Sequence, residues 1–305
     1  MRNTCVNTIL NYCSKNKDIF VISGDAGLGV FDIYKEKYPD RFLNMGVAEQ
    51  NMISFATGLS MTGFKVFIYN IIPFILYRCY EQVRNDICYQ RIPIVLIGIG
   101  SGVTYAPGGM THYSVEDIGL AQTLPNLTVI SPSDPIEAKN AARYALKAKE
   151  PVFIRLAKRG EPKIHKKVAF DIRKPNMIKD GSYIAILFHG SASIEAINAY
   201  KLLIKKNIYP KLISVPMLQP LNKKTLKNML DDVKFVVSVE EHFTYCGLGS
   251  ILSKFRNEIN AEWQVIPLGI PFQFIHEIKD TYHLRDYFGF SSRKIVQTID
   301  KLINR

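Results

Sequence analysis

The chain lacks the features of a secreted, membrane-spanning or metal-stapled protein. Its five cysteines (Cys5, Cys13, Cys79, Cys88 and Cys246) are odd in number and scattered, with no metal-ligand spacing. They read as the reduced thiols of a cytoplasmic protein. The longest apolar run, residues 92–100, is far too short to span a bilayer. The first ten residues are polar, so no secretory leader is expected. Internal repeats and low-complexity tracts are missing as well. Acidic residues are scarce beside basic ones, 27 against 39, which leaves a net charge of +12. That excess would attract phosphates or nucleic acid. The lysines gather in residues 163–179 and 201–227, with no aromatic-interleaved basic helix or zinc spacing beside them. A solvated basic surface is the simpler expectation, and neither nucleic acid nor membrane is an expected partner.

What is present is a large hydrophobic fraction, 47% of 305 residues, enough for one or two domains with sizeable cores. Strands are expected at residues 18–23, 65–70, 91–98, 127–131 and 152–156, alternating with helices at 74–89 and 134–148. The second helix opens on Asp134-Pro135-Ile136-Glu137, a capping acid, a first-turn proline and a glutamate at the third helical position. From about residue 159 Lys, Arg, Pro and Gly accumulate, and residues 161–181 are expected to be a linker. A second unit follows, with strands at 183–188, 211–215 and 235–239 and helices at 194–206, 223–230 and toward 257. Strand-helix alternation points to α/β architecture: two doubly wound domains, 1–160 with a mostly parallel sheet and a smaller one at 182–305.

The stretch from Phe42 to Met52 reads as a loop running into a helix, with Gly46 at the entry. Apolar residues recur at Ala48, Met52, Phe55, Ala56 and Leu59, while Gln50, Ser54 and Thr57 fall opposite. On a wheel of about 100° per residue, Glu49 lies inside the apolar arc. Burying it ionised and alone costs several kcal/mol or more. It must therefore be protonated, paired or hydrogen-bonded, either as a satisfied core residue or for chemistry.

The wording around it separates these alternatives. Gly46-Val47-Ala48-Glu49-Gln50-Asn51-Met52 resembles the glutamate motif in the pyrimidine-binding domain of transketolase-type thiamine-diphosphate enzymes. Further pieces are similar to that group in the same order: Pro73-Phe74 with Arg78-Cys79-Tyr80-Glu81-Gln82, Gly109-Met110-Thr111-His112, Leu124-Pro125-Asn126, Pro132-Ser133-Asp134, Val239-Glu240-Glu241-His242 and Gly247-Leu248-Gly249-Ser250. Several ordered motifs are far more specific than a lone glycine pattern. The resemblance implies a pyrimidine-binding domain over 1–160 and a transketolase-type C-terminal domain over 182–305, as also found in 1-deoxyxylulose-5-phosphate synthase. It implies that Glu49 hydrogen-bonds a ring nitrogen of the cofactor's aminopyrimidine and favours its imino tautomer, which deprotonates the thiazolium carbon. A carboxyl with a pKa raised by a dry pocket suits that proton sharing. Phe74, or its rival Tyr77, would stack on the pyrimidine. His112 would bind substrate and move protons. Ser101 stands where the family has a further substrate histidine. Lys158, with Arg159 beside it, stands where the family has a phosphate-binding arginine. Arg78 is expected in a structural ion pair with Glu81 or Asp86, and His242 in a structural or interface role.

One expected piece is missing. The family's Gly-Asp-Gly motif and a downstream Asn hold magnesium and the diphosphate. Gly24-Asp25-Ala26 followed by Asn51 imitates the spacing without the second glycine, and it encloses the glutamate motif of the other domain. No metal ligands are therefore expected in this chain. The resemblance implies a split enzyme whose partner, an N-terminal subunit, carries the diphosphate domain and Mg²⁺ in a hetero-oligomer, most simply two of each chain. The activity implied is transfer of a two-carbon unit from a ketose, or an acyl unit from a 2-oxoacid, to an aldehyde-type sugar acceptor. Pro107-Gly108-Gly109 replaces the family's Glu-Asp-Gly and Tyr113 its Gln, which leaves the acceptor open. The alternatives are the beta subunit of a 2-oxoacid dehydrogenase, a pyruvate-using synthase of the 1-deoxyxylulose-5-phosphate type, and a non-catalytic scaffold.

Overall fold

Runs of aliphatic and β-branched residues too short for helices form the strands, and amphipathic stretches between them carry the chain back across each sheet. The computed structural model describes residues 1–27, 29–158, 161–166 and 170–304. Six strands come first: β1 (Ile19–Ser23), β2 (Phe42–Asn44), β3 (Lys65–Ile71), β4 (Val95–Ile99), β5 (Thr128–Ile130) and β6 (Val152–Leu156). Six follow: β7 (Asn176–Lys179), β8 (Tyr183–Phe188), β9 (Lys211–Ser214), β10 (Met217–Gln219), β11 (Val233–Phe243) and β12 (Gln264–Ile270). They form a seven-stranded sheet in the order β10-β5-β6-β4-β3-β1-β2 and a five-stranded sheet in the order β12-β11-β8-β9-β7. All pairings are parallel except β10 with β5 and β7 with β9. β4 and β6 are buried along their whole length, as central strands covered on both faces must be. The expected α/β class with two mostly parallel sheets is the one observed.

Four strands lie outside the expected set: β2 falls in the stretch read as a loop, β12 lies beyond the last element read, and β7 and β10 change how the units join. β7 lies inside the stretch read as a linker and pairs with β9 at Met177↔Ile213, so the irregular connection ends before residue 176. At four residues it is too short to show a period. β10 belongs by sequence to the second unit yet completes the first sheet, with Met217 opposite Ile130. Prolines at 216 and 220 hide it, and an edge strand tolerates them. One apolar core consequently runs through both units, joining Leu96, Leu124 and Phe153 to Leu187, Ile213 and Leu218.

A polar hub lies where the units meet. Arg155, near the end of β6, has no exposed side-chain surface. Its Nε donates to Asp117 at 2.6 Å, and its Nη2 donates to the Ser114 and Glu241 carbonyls at 2.9 and 3.1 Å. Glu241 in turn accepts from the Val103 amide at 2.8 Å and from Arg285 Nε at 2.8 Å. Its side chain presses on Gly102, where a Cβ would collide and φ is +62°. Glu240 accepts from the Leu248 and Gly249 amides at the start of the helix Leu248–Glu258, at 2.6 and 2.8 Å. His242 accepts from the Ile118 amide through Nε2 at 3.1 Å, and its Nδ1–H donates to the Phe243 carbonyl at 2.9 Å. That is a neutral imidazole, consistent with burial lowering its pKa. The structural role expected of His242 is the one seen.

The connection between the units is pinned to the helix Pro135–Lys147. Asp134 caps that helix through the Glu137 amide at 2.7 Å, as its sequence predicts. The other Asp134 oxygen accepts from the Ile164 and His165 amides, each at 2.9 Å. The His165 ring stands 3.1 Å from Asp134 and 3.4 Å from Glu137 and stacks on Phe170 at 4.7 Å. Burial pulls the His165 pKa down, but its two carboxylate neighbours outweigh this and hold it above the ordinary value.

Both sets of contacts can be tested. Arg155→Met leaves Asp117 buried and unpaired and should cost about 3–5 kcal/mol in urea unfolding; a loss under about 1 kcal/mol would show that the hub does not hold the units together. A histidine whose folded pKa is raised adds stability that is complete below its unfolded pKa and disappears as pH rises through the folded one. Wild type should therefore lose melting temperature relative to His165→Asn as pH climbs from 6.5. Parallel curves for the two proteins would refute the clasp.

Candidate active site

The site begins where β2 turns into the helix Glu49–Met61. Gly46 makes the turn at φ +64°, a left-handed conformation that other residues adopt at a cost. Its amide donates to the Asn44 side chain at 2.8 Å, and its carbonyl accepts from the Asp25 amide at 2.9 Å. Glu49 thus becomes the first helical residue and is 3% exposed, as the wheel predicts. The buried arc is Glu49, Met52, Ile53, Ala56, Thr57 and Ser60, with Glu49 near its middle. The expected stripe is corrected in three places. Thr57 is buried, with its hydroxyl donating to the Ile53 carbonyl at 3.0 Å, while Ala48 is exposed and Phe55 is 44% exposed. Val47, 72% exposed, and Phe55 leave apolar surface bare beside the site.

The Glu49 carboxylate is paired. Arg78 Nη1 donates to Oε2 at 2.7 Å, and the Asn70 amide reaches Oε1 at 3.4 Å. Asn70 sits near the end of β3, its amide oriented by the Ile71 N–H donating to its oxygen at 2.8 Å. The expected partners of Arg78 are therefore corrected, since neither Glu81 nor Asp86 holds it; Asp86 accepts from Ser54 at 2.8 Å. Glu49 wins because it is buried, and an unpaired carboxylate costs most there.

Residues 73–89 are helical but widened into two broad turns, Pro73–Tyr77 and Val83–Tyr89. Such π turns are rare and frequently occur at functional sites. The first ends with the Arg78 amide donating to the Pro73 carbonyl at 3.0 Å. It places Phe74 and Arg78 on one face, with the guanidinium 4.4 Å over the Phe74 ring. Phe74 meets His112 edge-on at 5.8 Å, His112 meets Tyr105 at 6.1 Å, and Lys158 Nζ stands 4.8 Å from the Tyr105 ring centre. A continuous row thus runs from a buried carboxylate to a cation: Glu49, Arg78, Phe74, His112, Tyr105, Lys158. The histidine's Nδ1 lies 2.9 Å from the Thr111 hydroxyl. Lys158 opens onto a cavity of about 430 Å³ between the units, shared with Thr104, Ser191, Glu195 and Arg285.

The structure thus brings together four of the six residues singled out in the sequence: Glu49, Phe74, His112 and Lys158. Tyr77 is engaged elsewhere, its hydroxyl donating to Glu116 at 3.0 Å and accepting from the Glu116 amide at 3.3 Å. Burial raises both pKa values. Ser101 is 1% exposed, its amide donating to the Leu156 carbonyl at 3.1 Å and its hydroxyl buried without a partner among the described residues. Arg159 lies outside the described residues. Asp25 lines a separate cavity of about 120 Å³ with Ser23, Asp32, Lys35 and Asn44, and Asn51 is exposed. Among the described residues no three His, Cys, Asp or Glu side chains converge as metal ligands. Sequence reasoning missed Asn70, Tyr105 and the Arg78–Glu49 pair.

A cofactor with a flat, hydrogen-bonding ring fits this site. The buried carboxylate and the Phe74 face already hold one planar donor group between them, the Arg78 guanidinium.

Comparison with known proteins agrees with the fold. Residues 1–162 match the family described as transketolase, pyrimidine binding domain, and residues 174–295 match transketolase, C-terminal domain. An apulose-4-phosphate transketolase subunit from Actinobacillus succinogenes is 32% identical, over 97% of this chain and 96% of its own. A putative transketolase C-terminal section of Methanocaldococcus jannaschii is 29% identical, over 98% of this chain and 95% of its own. 1-deoxy-D-xylulose-5-phosphate synthase of Dictyoglomus turgidum is 30% identical over 87% of this chain, which spans only 43% of that enzyme. A solved split-gene transketolase, described as an inactive beta4 tetramer, matches with a TM-score of 0.89 at 26% identity, over 98% of this chain and 97% of that one. Motifs, topology and relatives converge, and the chain belongs to the transketolase family, of which it spans the pyrimidine-binding and C-terminal domains.

Proposed function

We propose that this chain is the pyrimidine-binding subunit of a split, thiamine-diphosphate-dependent transketolase. In this reading it works in the cytoplasm and transfers a two-carbon ketol unit from a ketose to an aldehyde-type sugar acceptor. The observation that carries the proposal is Glu49: a buried carboxylate at a helix start, facing an aromatic ring across a slot wide enough for a flat donor. Similarity along nearly the whole length of a separately encoded transketolase subunit supports the split. So does the exposed apolar surface at Val47 and Phe55, which a second chain would cover. That partner would bring the diphosphate-binding domain and Mg²⁺, most simply in a heterotetramer.

Thiamine diphosphate, when bound, supplies the electron sink for breaking and remaking a carbon–carbon bond. Glu49 would hold a proton against the pyrimidine nitrogen at Oε2, within a buried site where such sharing is strong. Phe74 would support the ring from one face. Thr111 engages His112 Nδ1, so Nε2 is the nitrogen that would bind a substrate hydroxyl and exchange its proton. Lys158 would neutralise a substrate phosphate as a point charge at the mouth of the interdomain cavity. The relatives named as 1-deoxy-D-xylulose-5-phosphate synthases favour a second reading, with pyruvate as donor.

The decisive experiment is calorimetric titration of thiamine diphosphate and Mg²⁺ into this chain alone and with a chain bearing the missing Gly-Asp-Gly motif. Tight binding only to the pair is expected; tight binding to this chain alone would end the split reading. Donor screening of the pair should give turnover with a ketose phosphate, and turnover with pyruvate alone would favour the synthase reading. Glu49→Gln should lower kcat by at least a hundredfold, the low end of the roughly 10²–10⁴ expected of general acid–base catalysis; activity within a few-fold of wild type would leave the scaffold reading standing. Lys158→Ala should raise KM for a phosphorylated substrate about tenfold with little change in kcat, as loss of one charge-assisted contact implies. An unchanged KM would remove the phosphate role.

A further inference from the structure

Two contacts define what a pyrimidine ring would need here: a hydrogen bond to the Glu49 carboxylate and a stacking face on Phe74. Arg78 makes both. Its guanidinium is flat, presents N–H donors along its edge, lies 4.4 Å over the Phe74 ring and donates to Glu49 Oε2 at 2.7 Å. The side of the Phe74 ring that the guanidinium covers cannot stack a second planar group, so a ring seated there displaces it.

We propose that Arg78 is a placeholder for the cofactor's aminopyrimidine, occupying the slot between Glu49 and Phe74 and leaving it when the ring binds. This rests on the function proposed above. The side chain has a way out: it is 42% exposed, whereas Glu49 is 3% exposed. The backbone has none. The Arg78 amide is tied to the Pro73 carbonyl at 3.0 Å, and its carbonyl accepts from Gln50 Nε2 at 3.1 Å. Exchange is therefore a rotamer change of one long side chain, with the wide turn and the helix Glu49–Met61 left in place. The arrangement also answers why a buried catalytic carboxylate is tolerated before the cofactor arrives. The guanidinium satisfies Oε2 until a ring nitrogen does, and the Asn70 amide stays on Oε1 throughout.

The test uses this chain together with its diphosphate-binding partner. Thiamine diphosphate is titrated at saturating Mg²⁺ into wild type, Arg78→Met and Arg78→Lys, with thermal unfolding of each pair recorded free and cofactor-saturated. Arg78→Met should bind about tenfold more tightly, the order of magnitude of one charge-assisted contact that no longer has to be broken. Arg78→Lys keeps the charge without the flat fork and should fall between. The free Arg78→Met pair should melt below wild type, because Glu49 loses its partner, and the gap should close on saturation. Unchanged or weaker binding by Arg78→Met, in a variant with a single cooperative melt, would overturn the placeholder and make Arg78 a contact retained beside the ring. If the wild-type pair binds no thiamine diphosphate at all, this inference and the function beneath it fall together; if only the Met variant fails to gain affinity, the function stands and the placeholder does not.

Discussion

A guanidinium sealed from solvent organises this molecule. Arg155 emerges near the end of a fully buried strand of the first sheet and finds its counter-charge on Asp117, at the start of a helix after the long site loop. The same group is held from two further sides, since it also binds the Ser114 and Glu241 carbonyls. One residue therefore fixes the end of the loop that carries Tyr105 and His112 and the strand β11 of the second unit. Desolvating such a pair is costly, and the hydrogen bonds around it are what make it tolerable. The consequence is positional. The histidine, the aromatic row and the lysine at the cavity mouth are referenced to the core of the protein through buried polar contacts, even though they lie on loops.

Around this hub, titratable groups divide by burial. His189, buried against Ser131 at 2.9 Å, has its pKa pushed down to about 3 by desolvation and is neutral. It forms with Ser131 and the more distant Glu240, at 3.9 Å, a triad-like arrangement sealed inside the protein, so no substrate can reach it. The row from Phe74 through His112 to Lys158, by contrast, runs from buried Glu49 to the mouth of the interdomain cavity.

Much of this was legible in the sequence. Alternating strands and helices revealed the class because fully buried strands are mostly apolar and their crossovers amphipathic. The capping acid at Asp134 marked a helix start to the residue. Glu49 stood out because a carboxylate on a buried arc is a physical contradiction that demands a partner. What stayed hidden was pairwise and long-range. Nothing local says that Arg78 reaches back to Glu49, since widened turns rotate its side chain away from the ordinary helical positions. β7 and β10 escaped because strands of four and three residues have no period to detect, and the strands they join are set by the tertiary fold. The burial of Ser101 stayed hidden because backbone folding, not residue type, decides how far a loop hydroxyl is covered.

The lending of β10 to the first sheet has a consequence for how the molecule can move and be divided. A strand that starts in one unit and finishes the sheet of the other acts as a rivet. Hinge opening between the units would have to break its backbone ladder to β5 as well as the shared apolar core. Their junction is therefore a fixed wall of the interdomain cavity. The same rivet shields an edge. If the first unit were severed from the second, β5 would present unpaired N–H and C=O groups to solvent, a template for strand addition by other copies. The first unit's sheet is thus completed only by the second.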